Sequence, residues 1–278
     1  MSAGFEPRDV RTAAERVARV ARHVHLDAGA VDTWADAVDP AMIQPAPRPP
    51  ELRFQGTPAE AARRVLLLDA LNFCFWSDEE PAWSIHYRGR TWSRYSALVA
   101  ALHRAIADDR CWLEPGRWAD VTLRDVERLF AGRGGIPLLD ERRRILNETG
   151  RIVLDRWNGE PIRIAEEAQF DASRLVFLMA ESFPSFRDVP MYNSVATPLL
   201  KRAPILAADL AEAWGGSGGP AMDGLASLTA FADYRIPQVL RHLHILRLGS
   251  ALEAAIEARQ LISPSSPEEI EIRACSIM

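Results

Sequence analysis

Lysine is almost absent from this chain. Of its 33 basic side chains only Lys201 is a lysine, the rest are arginine, and 38 acidic residues bring the formal net charge to -5. That balance argues against a protein that holds a nucleic-acid duplex by neutralising phosphates, because such affinity scales with Lys and Arg contacts, and no stable nucleic-acid partner is expected. Cysteine is scarce too: Cys74, Cys111 and Cys275 are an odd number, far apart, with no C-x-x-C pair. Neither a disulfide framework nor a zinc ribbon can be read from them, and a reducing cytoplasm is the expected compartment. No segment approaches the ~18 uninterrupted apolar residues of a membrane span, and the first nine residues carry acid before any apolar run, so neither export nor membrane insertion is expected. What is present is an ordinary globular mixture, 48% hydrophobic and 26% charged over 278 residues, enough to bury a large core.

The lone lysine stands in Pro198-Leu199-Leu200-Lys201-Arg202-Ala203-Pro204. Arginine has replaced lysine wherever the two are interchangeable. They cease to be so where a compact ammonium or a movable pKa is needed. Lys201 is therefore a site candidate, the alternative being a chance survivor of an arginine-biased composition.

Helix signals dominate. Val10, Ala13, Val17, Val20 and Val24 recur at helical spacing, and a short helix is expected over Asp32 to Val38. Pro40, Pro45, Pro47, Pro49 and Pro50 then interrupt the pattern, a strap over 40–50 too poor in glycine and serine to be a loose tether. Thr57-Pro58-Ala59-Glu60 is a capping box launching a helix to about Trp76, apolar nearly all round in its later half and hence central. Trp83, Ile85 and Tyr87 alternate with polar residues, and Arg88-Gly89 turns the chain towards Thr91-Trp92, the one confident β-hairpin. Further helices are expected over 93–106, 122–130 and 139–157, from Asp171, from Pro204 to Trp214, over 225–232, from Pro237 through Ile256, and from Ser266. The fold class is mainly α with one small hairpin, and no linker divides 1–278 into more than one domain.

Three constellations could carry chemistry. In Leu71-Asn72-Phe73-Cys74-Phe75-Trp76, Asn72 is an amide among apolar neighbours that either pins a helix end or touches a ligand. Phe73, Phe75 and Trp76 offer flat surfaces for a heterocyclic base, or core. In Phe183-Pro184-Ser185-Phe186-Arg187-Asp188-Val189-Pro190 two prolines hold a loop whose Phe186 and Asp188, with Tyr192 beyond it, could wall a pocket; an Arg187-Asp188 surface pair is the alternative. Asp209 is a weaker candidate for that wall, a solvated helix face being its other reading. In Phe231-Ala232-Asp233-Tyr234-Arg235-Ile236-Pro237-Gln238, Asp233 lies at a helix junction. It is either an acid near a helix dipole, paired with Arg235, or the carboxylate that a glycosyl-transfer step sets against an oxocarbenium ion.

These segments, taken in order with the closing Glu269-Ile270-Glu271-Ile272-Arg273, resemble the queuosine salvage family, the queuosine 5′-phosphate N-glycosylases. The resemblance runs from the Val10 helix to the C-terminus. It implies release of the base queuine from queuosine 5′-monophosphate, no cofactor, and a helical fold reminiscent of helix-hairpin-helix DNA glycosylases. On that reading Asp233 serves the sugar, Lys201 holds the 5′-phosphate with Tyr234 or Arg235, the aromatic set stacks on the base, Asn72 reads a base edge, and Asp188 meets the substrate's secondary amine. The rival class is a non-catalytic helical module that binds a nucleotide or a protein. His23/His25 and His242/His244, read on helices, point to different faces, and no metal is expected.

Overall fold

The computed structural model describes residues 7–42, 48–76, 81–231 and 233–278. It opens with helix α1 (Pro7–Val20), strand β1 (Val24–Leu26) and helix α2 (Ala28–Ala37). Short 3-10 turns at Pro40–Met42 and Pro50–Leu52 follow, and most of the proline-rich strap expected at 40–50 lies outside the described residues. Next come α3 (Pro58–Ala70), the hairpin β2 (Ser84–Tyr87) and β3 (Arg90–Ser93), and α4 (Arg94–Asp108). Then α5 (Pro115–Ala119), α6 (Leu123–Leu129), α7 (Leu139–Trp157), α8 (Ile162–Glu167) and α9 (Ala172–Ser182) run in succession. A two-residue pair, β4 (Met191–Tyr192) and β5 (Val195–Ala196), precedes α10 (Arg202–Ser217). The chain closes with α11 (Arg235–His242), β6 (Leu246–Leu248), α12 (Ser250–Glu257) and α13 (Pro267–Ile277). The fold is mainly α. Among the described residues no helix is long and apolar enough to cross a membrane.

Local chemistry explains most boundaries. Thr57 accepts the Glu60 N–H at 3.2 Å while the Glu60 carboxylate accepts the Thr57 N–H at 2.9 Å, and Pro58 occupies the first helical position. Thr122 and Asp125 repeat the device on α6. As expected, α3 is central: Val65, Leu66, Leu67 and Leu68 are all buried, and α10, α7, α8 and α4 surround them. Where α7 crosses α5, a Cβ at Gly150 would stand 2.4 Å from the Ala119 nitrogen and 2.6 Å from the Pro115 oxygen, so only glycine lets the two helices approach this closely.

Several expectations are corrected. The 83–92 hairpin forms in the expected place, with Ile85 opposite Trp92, but it is not the only strand pairing. The periodicity that carried the first helix to Val24 ends at Val20, and Val24 enters β1, which pairs antiparallel with the distant β6. For the same reason the expected helix from Pro237 to Ile256 is broken into α11, β6 and α12. The helix from Thr57 stops at Ala70 rather than Trp76, and that over 225–232 shrinks to a 3-10 turn at Leu225–Ser227. His25 lies on a strand rather than a helix, so the helical argument against the first histidine pair does not apply to it. Among the described residues no three His, Cys, Asp or Glu side chains converge on a metal-sized space.

Candidate active site

The segment before α10 is built around Asp188. Its carbonyl accepts the N–H groups of Leu199 at 3.0 Å and Leu200 at 3.2 Å, and its carboxylate accepts the Lys201 N–H at 3.1 Å. A negative charge is thereby held at the start of α10, where the helix dipole favours it. Burial alone would push this carboxyl up, but Arg273, which pairs with it through both guanidinium ends, outweighs burial and holds it below its ordinary range. Of the two readings of Asp188, the surface pair is corrected: its partner is Arg273 from α13 rather than Arg187.

Lys201, just ahead of α10, is half-buried. Burial lowers its ammonium pKa, Asp233 is the strongest charge opposing that fall, and the neighbouring Arg273 and Arg202 reinforce it. Among the described residues the ammonium donates no hydrogen bond. Asp233 is half-buried too. Its Oδ1 accepts the N–H groups of Arg235 at 2.8 Å and Ile236 at 3.2 Å, which caps the first turn of α11. The Arg235 side chain is exposed and reaches Gln238 at 3.4 Å rather than Asp233, and Tyr234 is half-buried beside them.

The Asn72 segment is fixed from below by arginines. Arg142, fully buried, donates to Pro137 O at 2.9 Å, Leu71 O at 2.8 Å, Phe73 O at 2.6 Å and Cys74 O at 2.7 Å. Arg202 donates to Ala70 O at 2.7 Å and also to Ser185 O. The carbonyl of the last residue of α3 and those of the turn that follows it thus meet cations. Burial pushes the Arg142 pKa down to about 10. Asn72 itself is buried and donates its amide to Asp69 Oδ1 at 3.2 Å.

The expected aromatic platform divides. Phe75 and Phe186 are buried core rings, Phe186 edge-on to Phe183 at 5.8 Å, and neither can offer a face to a base without repacking. Phe73 is half-buried, with the Arg142 guanidinium 4.3 Å and that of Arg202 5.3 Å from its centroid. Trp76 is 50% exposed. Tyr192 is buried and donates its hydroxyl to Glu271 at 2.8 Å. Asp209 accepts from Arg48 at 2.8 Å and from the Tyr95 hydroxyl at 3.1 Å, eight residues along α10 from Lys201, roughly 12 Å by helical rise. It is a paired acid rather than a solvated one, and it does not join Lys201. A cavity of about 580 Å³ opens along α11 and β6, lined by Gln238, Arg241, His242, His244 and Arg247 among others, and none of Lys201, Asp233 or Asn72 lines it.

Sequence reasoning missed Asp69, Arg142 and the separate duties of Glu271 and Arg273. Asp69 had a signal, a lone acid within Val65–Leu71. Arg142 had none, since it is flanked by Arg143 and Arg144, which make exposed ion pairs with Asp140 and Glu141.

Comparison with known proteins bears on the whole arrangement. The family model described as queuosine salvage protein matches residues 52–278. A protein of Sphaerobacter thermophilus named queuosine 5'-phosphate N-glycosylase/hydrolase is 42% identical over 268 residues, covering 96% of this chain and 82% of the relative. A Bos taurus protein of the same name is 33% identical over 276 residues, covering 96% and 81%. One from Schizosaccharomyces pombe is 35% identical over 228 residues, covering 77% and 65%. With a family match over residues 52–278 and relatives of that name 33 to 42% identical over most of its length, the chain belongs to the queuosine salvage protein family.

Proposed function

We propose that this chain hydrolyses the N-glycosidic bond of queuosine 5′-monophosphate and releases queuine, the reaction after which its relatives are named. The observation that carries the reading is the Lys201 ammonium, half-buried and free of hydrogen bonds among the described residues, with Asp233 the largest charge favouring its ionised form. An unspent cation in a partly desolvated position suits a phosphate monoester, and a compact ammonium suits it as a point charge. Asp233 uses Oδ1 as a cap, and its negative charge stands ready beside a sugar that becomes cationic as the bond to the base breaks. A 7-deazaguanine lacks the N7 that a purine leaving group would have protonated, so stabilisation on the sugar side matters more. Tyr234, Phe73 and the exposed Trp76 are the remaining groups for contacts to sugar and base, and Asn72 for a base edge.

The test is incubation of the purified chain with queuosine 5′-monophosphate and chromatography for free queuine. Queuine released in proportion to enzyme is the expected result. Binding of the nucleotide without release by folded protein would favour a non-catalytic binding module.

A further inference from the structure

We infer that Asp69 is a positioning residue for Asn72, turning its amide so that the carbonyl oxygen meets the donor edge of a guanine-type base. The inference rests on the nucleotide reading of the site given above. Asp69 has no exposed surface, and its Oδ1 accepts the Asn72 amide N–H at 3.2 Å. Burial, reinforced by the negative charge of Asp209, raises its pKa well above the ordinary carboxylate range. Its other oxygen has no hydrogen-bond partner among the described residues and can carry the proton, and whether or not it does, Oδ1 remains an acceptor. One N–H of the Asn72 nitrogen is therefore engaged by Asp69, which fixes the amide's orientation. The Asn72 carbonyl oxygen accepts no hydrogen bond among the described residues.

The backbone on both sides is fixed independently. Arg202 holds the carbonyl of Ala70, and Arg142 holds those of Leu71, Phe73 and Cys74. A helix end needs its carbonyls satisfied, and these two arginines do that. It does not need a buried acid that orients one side-chain amide. Fixing the backbone and the rotamer of a single polar group together is what recognition requires. Arg202, which clamps this turn, directly follows Lys201 in the chain. An amide whose nitrogen is anchored on Asp69 has its unengaged oxygen available to N–H donors, which the 2-amino and ring N–H edge of a 7-deazaguanine supplies.

The experiment compares kcat/KM for queuosine 5′-monophosphate with that for its 2-desamino analogue. The wild-type chain should prefer the amino substrate by about tenfold or more, since a site built to accept a hydrogen bond rejects a ligand that lacks the donor. Asp69→Leu should bring the ratio close to one, and Asp69→Asn, which keeps an acceptor oxygen, should preserve it. A purely structural Asp69 would lower both substrates equally and leave the ratio intact, overturning the inference. Asn72→Ala leaves Asp69 in place and serves even if Asp69→Leu fails to fold; an unchanged ratio there is equally decisive against it. A wild-type chain inert on queuosine 5′-monophosphate removes the activity reading and this inference with it.

Discussion

Tyr192 donates its hydroxyl to Glu271 Oε1 at 2.8 Å, and Oε2 of the same carboxylate collects the backbone N–H groups of Arg22 at 3.0 Å, His23 at 2.6 Å and Val24 at 3.1 Å. One fully buried acid thus ties α13 to the β4–β5 pair and to the segment entering β1. Glu271→Ala strands three backbone donors and a phenol, and should cost about 3 kcal/mol or more, whereas Tyr192→Phe removes one partner and should cost about 1 to 2 kcal/mol. Urea denaturation of the two variants measures the difference. Equal, small losses would mean that water replaces the carboxylate.

Lys201 and Asp233 are separable by activity. Asp233→Asn keeps an oxygen for the α11 cap, so stability should stay within about 0.5 kcal/mol while kcat/KM on queuosine 5′-monophosphate falls by about a hundredfold or more. Lys201→Arg substitutes a planar, bulkier cation and should lower kcat/KM on the monophosphate while affecting the unphosphorylated nucleoside much less. Near wild-type kinetics from folded protein would remove either residue from the site.

His103 supplies a pH test away from the site. Burial, helped by Arg64, Arg88 and Arg48, pushes its pKa down to about 4. The folded state therefore resists a proton that the unfolded chain accepts near pH 6.5, so this group leaves stability unaffected above about pH 6.5 and lowers it progressively as pH falls towards 4. The full effect is about 3 kcal/mol by the linkage relation. The raised carboxyls of Asp69 and Asp209 act in the opposite direction, so the useful quantity is the difference between wild type and His103→Gln. That difference should open between pH 6.5 and 4 in favour of the variant; a constant offset would contradict a neutral His103.

What was legible in the sequence was chiefly what local chemistry decides. The Thr57 and Thr122 capping boxes, the Arg88-Gly89 turn and the all-round burial of α3 follow from residues within a few positions of one another. The turn after α3 is not legible because Arg142 and Arg202, far along the chain, supply the donors that hold its carbonyls. The sequence pattern around β1 and β6 looks helical because the two partners are more than two hundred residues apart, and a three-residue strand carries too little alternation to announce itself. At the candidate site, Lys201 drew attention through its rarity and Asp233 through its junction. Asp188, Tyr192 and Asp209 drew attention as polar or aromatic residues of suggestive segments, yet their partners, Arg273, Glu271 and Arg48, come from distant elements.

The pairing of β1 with β6, the packing of α1 against α13 and the grip of Glu271 on residues 22–24 all join the beginning of the chain to its last described helix. During synthesis the first helix therefore emerges long before the surface that completes its burial. Val10 and Val17 must wait, exposed, for α13 to be made, and closing so long a loop carries an entropic cost that local contacts cannot defray. Translation speed and chaperone occupancy over that interval should govern the yield of native protein, and a nascent chain stalled before residue 267 should display α1 to proteases that the finished molecule resists.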